Sequence, residues 1–206
     1  MNKNLRWLRK GSLILIILIP IFLAVNYGLE NYRTKKPQRF QVATILPAQA
    51  IASFSLVTDQ ETSFTAHSLK GFWTLMFFGY SHCPDICPKT LGVMRQVWDQ
   101  VLKEVPFAKL QFTFVSLDPA TDTSARLKEY LSYVNPKFIG LTGELAEVQK
   151  LRQFLGIHSL KENSTGLIDH SATLVVFNPR GQLYAIFTPP HHAESIAADL
   201  EHMIKG

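Results

Sequence analysis

The sequence predicts an α/β protein carried on an N-terminal membrane helix. Three observations predict it: strand-length apolar runs alternating with stretches of helical period, a terminal strand pair joined by a turn, and a long apolar run near the start. The composition agrees with one ordinary globular core. A chain of 206 residues, 47% hydrophobic and 18% charged, with two cysteines, is not a disordered tail, a collagen-like chain or a disulfide-stapled miniprotein.

The apolar run comes first. Residues 13–25 carry no polar group, and residues 11–29 extend the run with only Ser12 and Asn26 interrupting it. That length lies between a signal-peptide core and a full span of ~20 residues. The small residues that a signal peptidase requires fit poorly at Ala24-Val25-Asn26 and at Asn26-Tyr27-Gly28. The better Ala48-Gln49-Ala50 lies too far on. The expectation is an uncleaved anchor over 11–29, with Trp7 and Tyr27 at the interfaces, a cytoplasmic tail over 1–10 and the remainder exported. Residues 30–50 hold Pro37 and Pro47 and no sustained period, so they read as a tether to a folded domain over 51–206.

Within that domain, residues 54–57 and 63–66 read as a hairpin around a polar turn. Residues 74–80 (TLMFFGY) and 110–117 are continuous apolar runs, the pattern of strands covered on both faces. Leu91, Met94, Val97, Trp98 and Val101 recur at helical spacing, which predicts a helix over about 88–104. Residues 123–133 form a second predicted helix with Asp122 as its cap, and 144–155 a third that ends at Gly156. Two strands, 172–177 and 183–187, flank a turn at Asn178-Pro179-Arg180-Gly181, and 192–204 closes the chain as a helix.

Charge is unevenly placed. The chain has 21 basic and 16 acidic residues. Residues 1–39 hold eight of the basic residues and only Glu30 of the acidic ones, leaving 13 basic and 15 acidic over 40–206. A domain with net charge −2 has no electrostatic footprint for nucleic acid.

Chemistry concentrates in FGYSHCPDICPKT, directly after the first long strand. Cys83 and Cys87 are the only cysteines, and residues i and i+4 of a helical turn project to the same side. Both sulfurs can therefore meet one metal ion or each other. Pro84 and Pro88 are tolerated where backbone N–H groups lack helical partners, and the positive helix N-terminus favours thiolate. A plain stabilising disulfide is the plainer alternative, but so short a loop constrains the unfolded chain little.

The segment KGFWTLMFFGYSHCPDICPKTL resembles the hallmark of the Sco/SenC copper proteins, which assist assembly of the CuA centre of cytochrome c oxidase. VSLDPATDT at 115–123 is similar to that family's DPxRDT segment, and IDHSATLVVFNPRGQL at 168–183 to its DHS segment. The resemblance implies a thioredoxin-like fold with an N-terminal membrane helix. It also implies copper as the bound ion, with Cys83, Cys87 and His170 as ligands. The implied partners are the oxidase subunit that carries CuA, another copper carrier or thiol reductant, and a membrane, the domain facing the periplasm from the inner membrane. Thr121 departs from the pattern by standing where the family often has Arg, so any ion pair made by that Arg is in question.

Two thiolates and an imidazole suit Cu(I), and with an added oxygen ligand Cu(II); zinc would bind the same set with a fourth, open position. His170 stands where a thioredoxin-like fold would place a cis-proline facing the cysteines, and the missing proline leaves room for a metal. The redox-active use of Cys83 and Cys87, as a thiol-disulfide oxidoreductase, is the alternative function. Other donors have plainer readings. His82 should point away from Cys83, Met76 and Met94 should fill core, and His191 and His192 should cap or join the last helix. Asp85, Asp118 and Asp169 could orient a ligand or cap helices and turns.

Overall fold

The computed structural model describes residues 19–22, 24, 40–161 and 167–206. The expected membrane helix over 11–29 falls mostly outside them. Residues 19–22 and 24 are helical, and among the described residues no helix is long and apolar enough to cross a membrane.

Phe40–Gly206 is a compact unit whose described residues form an eight-stranded mixed sheet with helices on both faces. The strands are β1 (Thr44–Ala50), β2 (Ser55–Thr58), β3 (Ser63–Thr65), β4 (Trp73–Gly79), β5 (Leu110–Ser116), β6 (Ile139–Thr142), β9 (Leu174–Phe177) and β10 (Gln182–Phe187). Their order across the sheet is β1-β10-β9-β4-β5-β6-β2-β3. The helices are α1 (Ile86–Glu104), α2 (Ser124–Ser132), α3 (Leu145–Phe154) and α4 (Ala193–Lys205). A separate antiparallel pair, β7 (Ser159–Lys161) and β8 (Ile168–His170), precedes β9.

The central strand β4 runs parallel to β5 and antiparallel to β9. Its alternation sorts the interior. Leu75 and Phe77 join Leu91, Met94, Val97, Trp98 and Val101 of α1 on one face, while Met76, Phe78 and Tyr80 join Val148 and Leu151 of α3 on the other. The apolar runs at 74–80 and 110–117 were expected to be covered on both faces, and they are. Each fully buried large apolar side chain here contributes ~1.5–3 kcal/mol. Met76 and Met94 are fully buried core, as expected.

Two expectations need correction. Residues 44–50, assigned to the tether, form an edge strand on β10, because the domain begins earlier than residue 51. Asp199, fully buried on α4, accepts hydrogen bonds from the backbone N–H groups of Gln41, Val42 and Ala43 at 2.7–2.8 Å and fixes that entry. A carboxylate gathering three successive donors leaves no sequence period to read. Asp122 does not cap α2. Thr123 does, its hydroxyl accepting from the Arg126 N–H at 3.2 Å. Strands β6, β7 and β8 are too short to show a period of two. The end of α3 at Gly156 holds, with φ of +65°.

Candidate metal centre

The register of the sheet explains why residues distant in sequence meet. Phe77 of β4 pairs with Leu174 of β9 in antiparallel fashion, so the chain entering β9 passes over the end of β4. That same end feeds the turn carrying Cys83 and the first turn of α1 carrying Cys87. Among the described residues one group of metal-capable side chains results. The ligand atoms of Cys83, Cys87 and His170 all lie within 4.8 Å of one another.

Close approach at this point depends on Gly79. A Cβ there would stand 2.6 Å from Cys87 Sγ and 2.8 Å from Phe114 Cε2, so any larger residue must displace the sulfur or the ring. Cys87 is fully buried and Cys83 partly exposed, and both are free thiols. The Cys87 N–H donates to Cys83 Sγ at 3.4 Å across the start of the helix.

The two thiols differ in acidity. Burial pushes Cys83 up, but hydrogen bonds from the Asp85, Cys87 and Ile86 backbone outweigh it, and the Cys83 thiol is held below its ordinary range. Cys87 goes the other way: burial raises it strongly, and proximity to Cys83 and Asp122 adds to the rise. The helix N-terminus was expected to favour thiolate at both; it does so only where solvent still reaches the sulfur.

His170 is 7% exposed. Its Nδ1 lies 3.2 Å from the Ser171 carbonyl, and its Nε2 3.3 Å from Cys87 Sγ. A carbonyl oxygen only accepts, so Nδ1 carries the hydrogen and Nε2 presents its lone pair to the sulfurs. The ring packs against Phe77 and Tyr80, with centroids 5.9 and 6.0 Å away. Burial lowers its pKa, partly opposed by the Ser171 carbonyl and Asp169, which keeps the imidazole neutral as a ligand must be. Tyr80 also supports this strand from beneath, its hydroxyl accepting from the Ile168 N–H at 3.3 Å.

A buried polar network holds the cysteine turn. Asp122, fully buried, accepts from the Ser81 N–H at 3.0 Å, the Ser81 hydroxyl at 2.5 Å and the Ser116 hydroxyl at 2.7 Å. Arg126 donates to the Ser81 hydroxyl at 2.8 Å, contacts the His82 ring, and lies 3.8 Å from Asp122. Thr121 itself can make no ion pair, and the cation nearest Asp122 is Arg126, one helical turn further on. The remaining sequence candidates fall outside the donor group. His82 turns to Arg126 and Ser81, and Asp85 pairs with Lys89 at 2.6 Å. His191 bonds the Ala172 carbonyl, and His192 occupies the N-cap position of α4. Asp169 projects to the surface between Ile168 and His170, and the backbone of Asp118 shapes the turn before Asp122.

An open cleft of about 550 Å³ leads to Cys83 and His170, flanked by Tyr80, Ile86, Leu160 and Leu167. Leu160 is 74% exposed, so the approach to the sulfurs is apolar. Sequence reasoning missed Gly79, Ser81, Tyr80 and Arg126. Gly79 alone had a visible signal, being the one residue without a side chain in the apolar run before the cysteines.

Comparison with known proteins places this geometry in context. A family model described as SCO1/SenC matches residues 42–205. Over 143 residues the chain is 39% identical to a putative copper-binding protein of Stutzerimonas stutzeri, covering 68% of this chain and 70% of that protein. Over 146 residues it is 33% identical to the mitochondrial SCO1 homolog 1 of Arabidopsis thaliana, covering 69% of this chain but only 43% of that one. The crystal structure of Arabidopsis thaliana ScoI with copper bound superposes with a TM-score of 0.71 at 30% identity, covering 76% of this chain and 98% of that chain. The fold is therefore the thioredoxin-like fold of these proteins.

Proposed function

Since the chain belongs to the SCO1/SenC family, we propose that it is a membrane-anchored copper metallochaperone that assists assembly of the CuA centre of cytochrome c oxidase. In this reading Cys83, Cys87 and His170 hold one copper ion as cargo. The observation that carries it is the meeting of two thiols and one neutral imidazole within 4.8 Å at the floor of an open cleft.

The donor set fits the ion. Two thiolates satisfy Cu(I), and the imidazole makes Cu(II) tenable. Loading requires both thiols to lose their protons, and Cys83 gives up its proton first. Cys87, which its burial keeps protonated, loses its own only when the metal supplies the compensating charge. Release to the oxidase subunit proceeds by ligand exchange, for which the half-exposed Cys83 beside the apolar cleft is the accessible end. Residues 11–29 serve as the anchor, with the domain on the exported side of the inner membrane.

The test uses the full-length protein in detergent, reduced and offered copper. About one copper per chain, lost in Cys83→Ser and Cys87→Ser, together with failed oxidase assembly in cells carrying either variant, is the expected outcome.

A thiol-disulfide oxidoreductase is the second reading, supported by the acidity difference between the pair. Cys83 is the attacking thiol and buried Cys87 the resolving one, acting on a disulfide of the oxidase subunit or another exported protein. Disulfide reduction that tracks function across cysteine variants, without copper, distinguishes it.

A further inference from the structure

We propose that His191 is a positioning residue for His170; the inference rests on His170 being a copper ligand. Residues 171–173, between β8 and β9, have no strand pairing. The Ser171 N–H donates to the His158 carbonyl at 3.3 Å, which holds one side of this bend. Its carbonyls are held by two imidazoles. The Ser171 carbonyl accepts from His170 Nδ1 at 3.2 Å, and the next carbonyl, of Ala172, accepts from His191 Nε2 at 2.6 Å.

The second bond steadies the first. The carbonyls of Ser171 and Ala172 belong to consecutive peptide planes hinged at the Ala172 Cα, so anchoring the second plane narrows the conformations open to the first. Without the His191 bond the Ser171 carbonyl can swing away from His170 Nδ1. The constraint that keeps hydrogen on Nδ1, and the lone pair of Nε2 toward Cys87, is then lost. His191 itself is held on both sides, standing four residues after the end of β10 and two before the start of α4.

Two orphaned atoms argue that this ring has a task beyond packing. Because Nε2 donates to a carbonyl, Nδ1 is a lone pair, and it is buried without a hydrogen-bond partner among the described residues. The Ser171 hydroxyl is buried and unpartnered as well, and both residues line the same cavity of about 440 Å³ with His170. Leaving buried polar atoms unpaired is costly and is usually tied to function.

Three full-length proteins decide the matter: wild type, His191→Phe, which keeps the ring volume without the donor, and His191→Gln, which restores an N–H donor. Cu(II) and Cu(I) affinities are measured by chelator competition, the Cu(II) environment by electron paramagnetic resonance, and folding by thermal melting. His191→Phe should lose about tenfold or more in Cu(II) affinity, the usual penalty for removing a residue that orients a ligand. Its Cu(II) spectrum should move toward that of His170→Ala, while Cu(I) affinity and melting change little. His191→Gln should recover most of the wild-type spectrum. Unchanged Cu(II) binding in His191→Phe, or equal losses of Cu(I) and Cu(II) that follow a lowered melting temperature, overturns the positioning role. A wild-type Cu(II) signal indifferent to His170→Ala removes the ligand reading and this inference together. Should His191→Phe fail to fold, His191→Ala is measured in its place against the same two outcomes.

Discussion

The Nε2 atom of His170 lies 3.3 Å from the Sγ of Cys87, although 83 positions separate them in the chain. Burial of both, and a carbonyl on the far side of the ring, leave the imidazole lone pair aimed at the sulfur. In the metal-free protein the Cys87 thiol donates to that lone pair, and in the proposed copper complex the metal would take the place of the proton.

Removing this ring should separate the two functional readings. His170→Ala is expected to abolish tight Cu(II) binding, to retain Cu(I) in part on the two sulfurs, and to leave dithiol reduction of a small disulfide intact. Chelator competition and a disulfide-reduction assay on one preparation check it. Oxidase assembly that survives in cells with this variant would favour the oxidoreductase.

The acidity of the two cysteines predicts an order of reaction. Because Cys83 ionises more readily than an ordinary thiol, the midpoint of its alkylation rate against pH should lie below that of an ordinary thiol. Cys87 should react far more slowly across the same range, since raising the pH toward 9 still leaves it protonated and buried. Mass spectrometry after timed alkylation of the reduced protein, read by peptide, gives both rates.

Gly79→Ala tests the steric floor of the site. The added methyl would stand 2.6 Å from Cys87 Sγ, so the sulfur must leave its present position beside His170 Nε2. The expected result is at least about tenfold weaker copper binding, with a stability loss of ~1–3 kcal/mol from overpacking. Copper affinity by competition and thermal unfolding separate the two effects.

Asp199→Ala tests a part of the domain away from the metal. Three backbone N–H groups lose a charged acceptor, and a loss of about 3 kcal/mol follows, or roughly 6–12 °C in Tm. Copper affinity of the folded protein should stay as in wild type, because neither Asp199 nor the three N–H groups it holds belong to the donor group.

Particular residues show what could be read in the sequence. The long elements were legible because burial imposes a period. The α1 stripe from Leu91 to Val101 and the β4 run both fell where expected within two residues. Cys83, Cys87 and His170 were legible through motif, and the sheet register brings them together. What was hidden rests on contacts without periodicity. Asp122 looked like a helix cap because its neighbour Thr123 is the cap, while its own carboxylate is spent on Ser81 and Ser116. Residues 44–50 looked like a linker because Pro47 interrupts the run, which an edge strand tolerates since it needs pairing on one side only. The support of His170 by His191 joins residues 19 positions from the held carbonyl, in a bend with no regular structure.

The most direct test of the copper-ligand assignment is X-ray absorption at the copper edge on the full-length, Cu(I)-loaded and Cu(II)-loaded protein, wild type beside His170→Ala. The account predicts two sulfur neighbours in both proteins in the Cu(I) state. It predicts an imidazole nitrogen contribution in wild-type Cu(II) protein that disappears in His170→Ala. Copper bound without sulfur neighbours, or an imidazole signal that persists in His170→Ala, would contradict it.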